Sequence, residues 1–144
     1  MDLILRIKEF YVLETLQLAL YQSQLESLED NTVRHAYERM VELEQHHVDY
    51  HRGLLIKFGE KPPVITGGLG ELAGMVWGEG LDLINESNRY LTGVKVEQKA
   101  MEMHKAFILE AWQYPDICKR LWHNMTDEEF HMLWFKDKLE KMQH

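Results

Sequence analysis

Apolar residues recur along this chain on a seven-residue beat, and four separate segments carry it. In the first, Ile7, Tyr21 and Leu28 step by sevens through Glu14, and Phe10, Leu18 and Leu25 fill the alternate positions of the same stripe. That spacing predicts an amphipathic helix. The second stripe reads Val33, Tyr37, Met40, Glu44, His47, His51, Leu54 and Phe58, after the turn-and-cap run Asp30-Asn31-Thr32 and before Gly59, which places a helix between an N-cap and a glycine stop. The third reads Tyr90, Val94, Glu97, Met101, His104, Ile108 and Ala111, and it stops before Tyr114-Pro115, because proline disfavours a helical residue ahead of it. The fourth reads Ile117, Leu121, Glu128, His131, Phe135, Leu139 and Met142.

Four stripes of this length, joined in pairs by two tight connections, suit an all-α four-helix bundle in which every stripe faces a shared core. The remaining connection, roughly residues 59 to 86, opens with Lys61-Pro62-Pro63 and continues as an apolar run dotted with Gly67, Gly68, Gly70, Gly74, Gly78 and Gly80. It is expected to be a long crossover containing one short glycine-rich helix. Its Leu69, Leu72, Met75, Val76 and Trp77 exceed what a connecting segment needs; either they pack closely across the end of the bundle, or they flank an entrance for an apolar substrate or rest on a membrane surface. The 144 residues are expected to form one domain, a length at which a core can be buried without disulfides.

Each stripe carries, at mid-helix, a glutamate where an apolar residue belongs: Glu14, Glu44, Glu97 and Glu128. The second and fourth stripes add a histidine three residues later, His47 and His131, and residues at i and i+3 share one helix face. Glu14 to Glu44 is 30 positions and Glu97 to Glu128 is 31, so the chain reads Glu, then Glu-x-x-His, twice over. A hairpin brings residues equidistant from its turn to one height. The midpoint of Glu14 and the Glu44/His47 pair falls beside Asp30-Asn31, and that of Glu97 and the Glu128/His131 pair falls beside Tyr114-Pro115. One layer is therefore expected to hold four carboxylates and two imidazoles. Buried together, four carboxylates need cations to stay ionised. This donor pattern is the one used by di-iron and di-manganese carboxylate bundles, and mixed oxygen and nitrogen ligands suit iron or manganese better than copper or a structural zinc.

Seven residues beyond each glutamate lie Tyr21, His51, His104 and Phe135, expected as a second interior layer, and Tyr37 and Tyr90 lie seven before Glu44 and Glu97. Tyr21, Tyr37, His51, Tyr90 and His104 are either candidates to hydrogen-bond the ligating groups, since metal-bound histidines commonly donate their other nitrogen to a polar partner, or ordinary core polar residues satisfied elsewhere. No catalytic group beyond the ligands themselves is indicated. His35, His46, His123 and His144 fall off the stripes and are expected at the surface.

The formal charge of −8, from 16 basic and 24 acidic residues, argues against a nucleic-acid partner, which would require a basic face. One cysteine, Cys118, leaves no internal disulfide and no thiolate metal cluster, so a reducing cytoplasm is expected. The apolar run of Met1–Glu9 is too short for a signal peptide. Glu71, Glu79 and Asp82 interrupt the most apolar stretch, so any membrane contact would be peripheral.

From Glu14 to His131 the residues resemble the demethoxyubiquinone hydroxylase family, di-iron monooxygenases of ferritin-like fold that act in ubiquinone biosynthesis. The resemblance rests on Glu14 followed by Tyr21 and Gln24, on Met40-x-x-x-Glu44-x-x-His47, on Lys61-Pro62-Pro63-Val64, on Ala73-Gly74-Met75-Val76-Trp77-Gly78-Glu79-Gly80 with Val96-Glu97 after it, and on Asp127-Glu128-Glu129-Phe130-His131. At Met103 the chain departs from the family, which carries a histidine there; here the histidine is the next residue, His104. The resemblance implies that Glu14, Glu44, His47, Glu97, Glu128 and His131 hold two irons and that dioxygen is used to hydroxylate an apolar aromatic or quinone ring. Two other classes stay open: a ferritin-like ferroxidase or iron-handling protein, which a multimeric cage would mark, and a non-enzymatic helical interaction module, which would hold no stoichiometric metal. Homo-oligomers are compatible with each.

Overall fold

A computed structural model describes residues 2–65 and 85–143 of the chain. Among the described residues the regular structure is entirely helical: α1 (Leu3–Leu25), α2 (Asn31–Lys57), α3 (Glu86–Glu110) and α4 (Pro115–Met142). They form two compact units, a hairpin of α1 packed on α2 and a hairpin of α3 packed on α4. The short helix expected in the crossover, with Leu69, Leu72, Met75, Val76 and Trp77, lies outside the described residues. Among the described residues no helix is long and apolar enough to cross a membrane.

The first hairpin is built from capping chemistry that the sequence announces. Asp2 Oδ1 accepts from the Leu5 backbone N–H at 3.1 Å and starts α1. Asp30 Oδ1 accepts from Thr32 and Val33 N–H at 2.9 and 3.1 Å and starts α2, satisfying donors that have no partner inside the helix. Arg34, in the first turn of α2, reaches back to donate to the Leu25 and Leu28 carbonyls. A cation is thereby fixed at the C-terminal, negative end of α1. At the far end of α2, Gly59 adopts φ +76°, Gly59 N–H donates to Ile56 O and Glu60 N–H donates to Leu55 O. This pair of bonds closes the helix, and the left-handed residue it needs is a glycine.

The second hairpin uses different chemistry for the same task. Asn85 Oδ1 accepts from Ser87 N–H at 2.9 Å at the start of α3. Pro115 occupies the first turn of α4, where its missing N–H costs no helical bond. The thiol of Cys118 donates at 2.9 Å to the carbonyl of Ala111, the residue that caps the C-terminus of α3. Gly93 lets α3 and α4 approach closely: a Cβ placed on it would lie 2.5 Å from the Phe135 ring.

The stripes are buried as expected over most of their length, including Ile7, Phe10, Tyr21, Tyr37, Tyr90, Leu121 and Phe135. Two differences have physical reasons. Near the end of α2 the buried residue is Leu55, with Leu54 only half-buried and Phe58 exposed, because a straight helix drifts about 20° per seven residues from a strict seven-residue repeat. In addition, α1 and α3 bury a second face, with Leu13, Leu16 and Leu20 on one and Thr92, Val96, Ala100 and Phe107 on the other, so these two helices are covered more completely than α2 and α4.

Candidate metal centre

Each hairpin closes one triad of the expected ligands. In the first, Glu14 projects from the middle of α1, and Glu44 and His47 project from one face of α2, four turns past its Asp30 cap. All three are buried. His47 Nδ1 lies 3.3 Å from Glu14 Oε2 and 3.5 Å from Glu44 Oε2, and one ligand atom from each of the three residues lies within 4.8 Å of the others.

The second hairpin repeats the arrangement with Glu97 on α3 and Glu128 and His131 on α4, again buried. His131 Nδ1 lies 3.3 Å from Glu97 Oε1, and ligand atoms of the triad again fall within 4.8 Å of one another. In both cases the contact spans the turn, over 33 and 34 positions of sequence, as residues equidistant from a hairpin turn must.

The donor set fits a metal ion. Two carboxylates and one imidazole nitrogen, removed from water within a single cation's reach, would be costly to bury as bare charges, and a divalent ion turns that cost into coordination. The ordinary alternative for a buried carboxylate is a lysine or arginine partner. Among the pairs described at the six residues, the nitrogen facing the carboxylate belongs to a histidine each time.

The residues flanking the triads sit at both ends of them. In antiparallel helices a seven-residue step in one partner runs opposite to the same step in the other. Tyr21 therefore meets Tyr37 edge-on, ring centroids 6.0 Å apart, on the side of the α1–α2 turn. His51 lies with Phe10, centroids 5.5 Å apart, on the opposite side. The expected single layer of Tyr21, His51, His104 and Phe135 is thus divided within each hairpin. Tyr90 donates its hydroxyl hydrogen to Glu86 at 2.9 Å and stacks beside Trp134 and Phe135. His104 Nδ1 lies 2.7 Å from the Ala100 carbonyl. A carbonyl only accepts, so Nδ1 carries the hydrogen, and in the neutral ring Nε2 keeps the lone pair. Beside the Phe10–His51 pair, Arg52 sits 5.8 Å from the Tyr11 ring centroid, and its pKa is raised chiefly by hydrogen bonding to and charge interaction with Tyr11.

Three buried polar residues escaped the sequence reading: Gln17, Thr92 and Asn124. Gln17 follows Glu14 by three positions and Asn124 precedes Glu128 by four, both helical neighbours of a ligand. Their spacing from the glutamates was the signal available. Asn124 Oδ1 accepts from Arg120 Nε at 3.1 Å. His35, His46 and His123 are exposed, as expected, and His144 lies outside the described residues.

No protein-family model, curated protein or solved structure matches the chain.

Proposed function

We propose that the chain is an oxygen-activating di-iron oxidoreductase, the two hairpins being the halves of a ferritin-like four-helix bundle. Its two metal ions are held by six ligands, three from each hairpin: Glu14, Glu44 and His47, and Glu97, Glu128 and His131. The observation that carries this reading is the duplication of one buried triad, Glu with Glu-x-x-His, across both hairpins. Oxygen-rich donors with one imidazole per triad favour iron, with manganese as the other fit.

When bound, the metal would supply dioxygen activation, with two electrons from an external reductant taking the second oxygen atom to water. The chain's own contribution is to fix the donors on rigid helices and to exclude water by burying all six. The resemblance to the demethoxyubiquinone hydroxylases supports an apolar aromatic or quinone ring as the substrate to be hydroxylated. Contact with a membrane surface, if it occurs, is peripheral, and the glycine-rich crossover is its proposed seat.

The test is turnover of iron-loaded, chemically reduced protein with an electron-rich quinone under isotopically labelled dioxygen. The expected result is one labelled oxygen atom in the product. Accumulation of ferric mineral far beyond two irons per chain, with no oxygenated product, would replace this reading with that of a ferroxidase.

A further inference from the structure

Asn124 stands where packing alone would place an apolar side chain. In the two Glu-x-x-His helices the residue four before the glutamate is Met40 on α2 and Asn124 on α4, and both are buried, Asn124 completely. A core amide is costly unless its hydrogen bonds are made. Arg120 Nε, one turn earlier, lies 3.1 Å from Asn124 Oδ1. A guanidinium nitrogen only donates, so this contact fixes the oxygen towards Arg120 and leaves the NH2 group on the other edge of the amide. Among the described residues no acceptor lies within hydrogen-bond reach of Asn124 Nδ2. Four positions further along the same line of α4 is Glu128, fully buried, with a carboxylate oxygen within 4.8 Å of ligand atoms of Glu97 and His131. Helical side chains lean towards the N-terminus and cover the turn before their own Cα. Asn124 therefore leans towards Arg120, and Glu128 leans over the turn that carries Asn124.

We propose that Asn124 is a positioning residue of the metal centre: its Nδ2–H donates to the Glu128 carboxylate oxygen that the ion leaves free, and so holds the other oxygen towards the ion. This rests on the metal-binding part of the proposed function and deepens it. A carboxylate that coordinates through one oxygen keeps lone pairs on the other, and groups that donate to metal-bound carboxylates orient them and raise metal affinity. A neutral amide suits the task. It donates without adding charge, and it does not compete for the ion as a further carboxylate or imidazole would. Met40 offers no such hydrogen at the matched position of α2, so the arrangement is confined to α4.

The test uses the full chain with Mn(II) and, separately, with Zn(II). Mn(II) titration, followed by the electron paramagnetic resonance of the free ion, should show at least one ion bound about tenfold more weakly by Asn124→Leu than by wild type. Met40→Leu, the matched substitution on α2, should bind within about twofold of wild type, since no donor is lost there. Circular dichroism checks that both variants keep their helices. A second readout is taken on wild type and decides the matter if Asn124→Leu does not fold. In 15N-labelled protein the Asn124 side-chain NH2 signal, identified by its absence from Asn124→Ser, should move downfield when diamagnetic Zn(II) saturates the chain, as a hydrogen newly donated to a carboxylate does. The proposal is overturned if helical Asn124→Leu binds every ion as tightly as wild type, or if Met40→Leu weakens binding as much. It is also overturned if the Asn124 signal stays in place while the histidine ring signals shift with Zn(II). Each of these results would leave the metal centre itself standing. Failure of wild type to take up Mn(II) and Zn(II) would overturn the proposal together with the metal-binding reading.

Discussion

His47 Nδ1 lies 3.3 Å from Glu14 Oε2, joining residues 33 positions apart in sequence across the α1–α2 turn. A metal ion ligates ionised carboxylates and an imidazole lone pair, so protons that neutralise these buried groups in the metal-free chain leave when the ion enters.

Metal uptake should therefore release protons. Calorimetric titration with Mn(II) in buffers of different ionisation enthalpy should show net proton release at neutral pH. Affinity should fall as the pH drops, because protonated imidazole and protonated carboxyl groups cannot ligate. Binding with no net proton release at any pH would contradict this ligand set.

Replacing Glu44 by leucine should separate stability from binding. In the metal-free state Glu44 is fully buried beside another carboxylate, and substitution of buried charge by a packed apolar residue is often stabilising by about 1–4 kcal/mol. Denaturant unfolding in chelator should show Glu44→Leu more stable than wild type, and the order should reverse with saturating Mn(II), which adds about 2.7 kcal/mol at a hundredfold excess over Kd.

Gly93→Ala should destabilise the second hairpin. The added methyl would stand 2.5 Å from the Phe135 ring, which is itself packed against Tyr90 and Trp134 and has little room to yield. Overpacking of this kind costs about 1–3 kcal/mol. Thermal unfolding measures it, and Gly53→Ala, whose added methyl meets nothing within 4 Å, is the control expected to leave stability unchanged or slightly raised.

Gly59→Ala should cost about 1 kcal/mol for a different reason, since the position has φ +76° with open space around it and the penalty is that of a left-handed L-residue. An unaffected unfolding midpoint would mean that α2 ends otherwise than through the Gly59 and Glu60 bonds to Ile56 and Leu55.

Much of this arrangement is written in the sequence. The four helices follow from apolar periodicity, and the turns from Asp30, Gly59 and Pro115, each a residue whose backbone chemistry admits few alternatives. The triads were legible because glutamate is conspicuous in a stripe of Leu, Ile and Phe, and because equal spacing in two hairpins predicts equal height. Other features were hidden for equally physical reasons. Leu55 replaces Leu54 in the core because real helices drift from a seven-residue beat. The buried second faces of α1 and α3, Leu13, Leu16 and Leu20 among them, depend on what covers a helix, which its own periodicity does not specify. Gln17 and Asn124 are polar and were invisible to a search for apolar stripes. The direction of the steps to Tyr21 and His51 required the antiparallel geometry to be applied to flanking residues as well as to ligands.

The central claim is that buried carboxylates and imidazoles of both hairpins hold two irons. Metal analysis of protein produced with ample iron tests it most directly, applied to wild type, Glu44→Ala and His131→Ala. About two irons per chain in wild type, with the loss of at least one in each variant, is the predicted result for a bundle site of this donor pattern. Iron content unchanged in both variants, or absent from wild type, would contradict it.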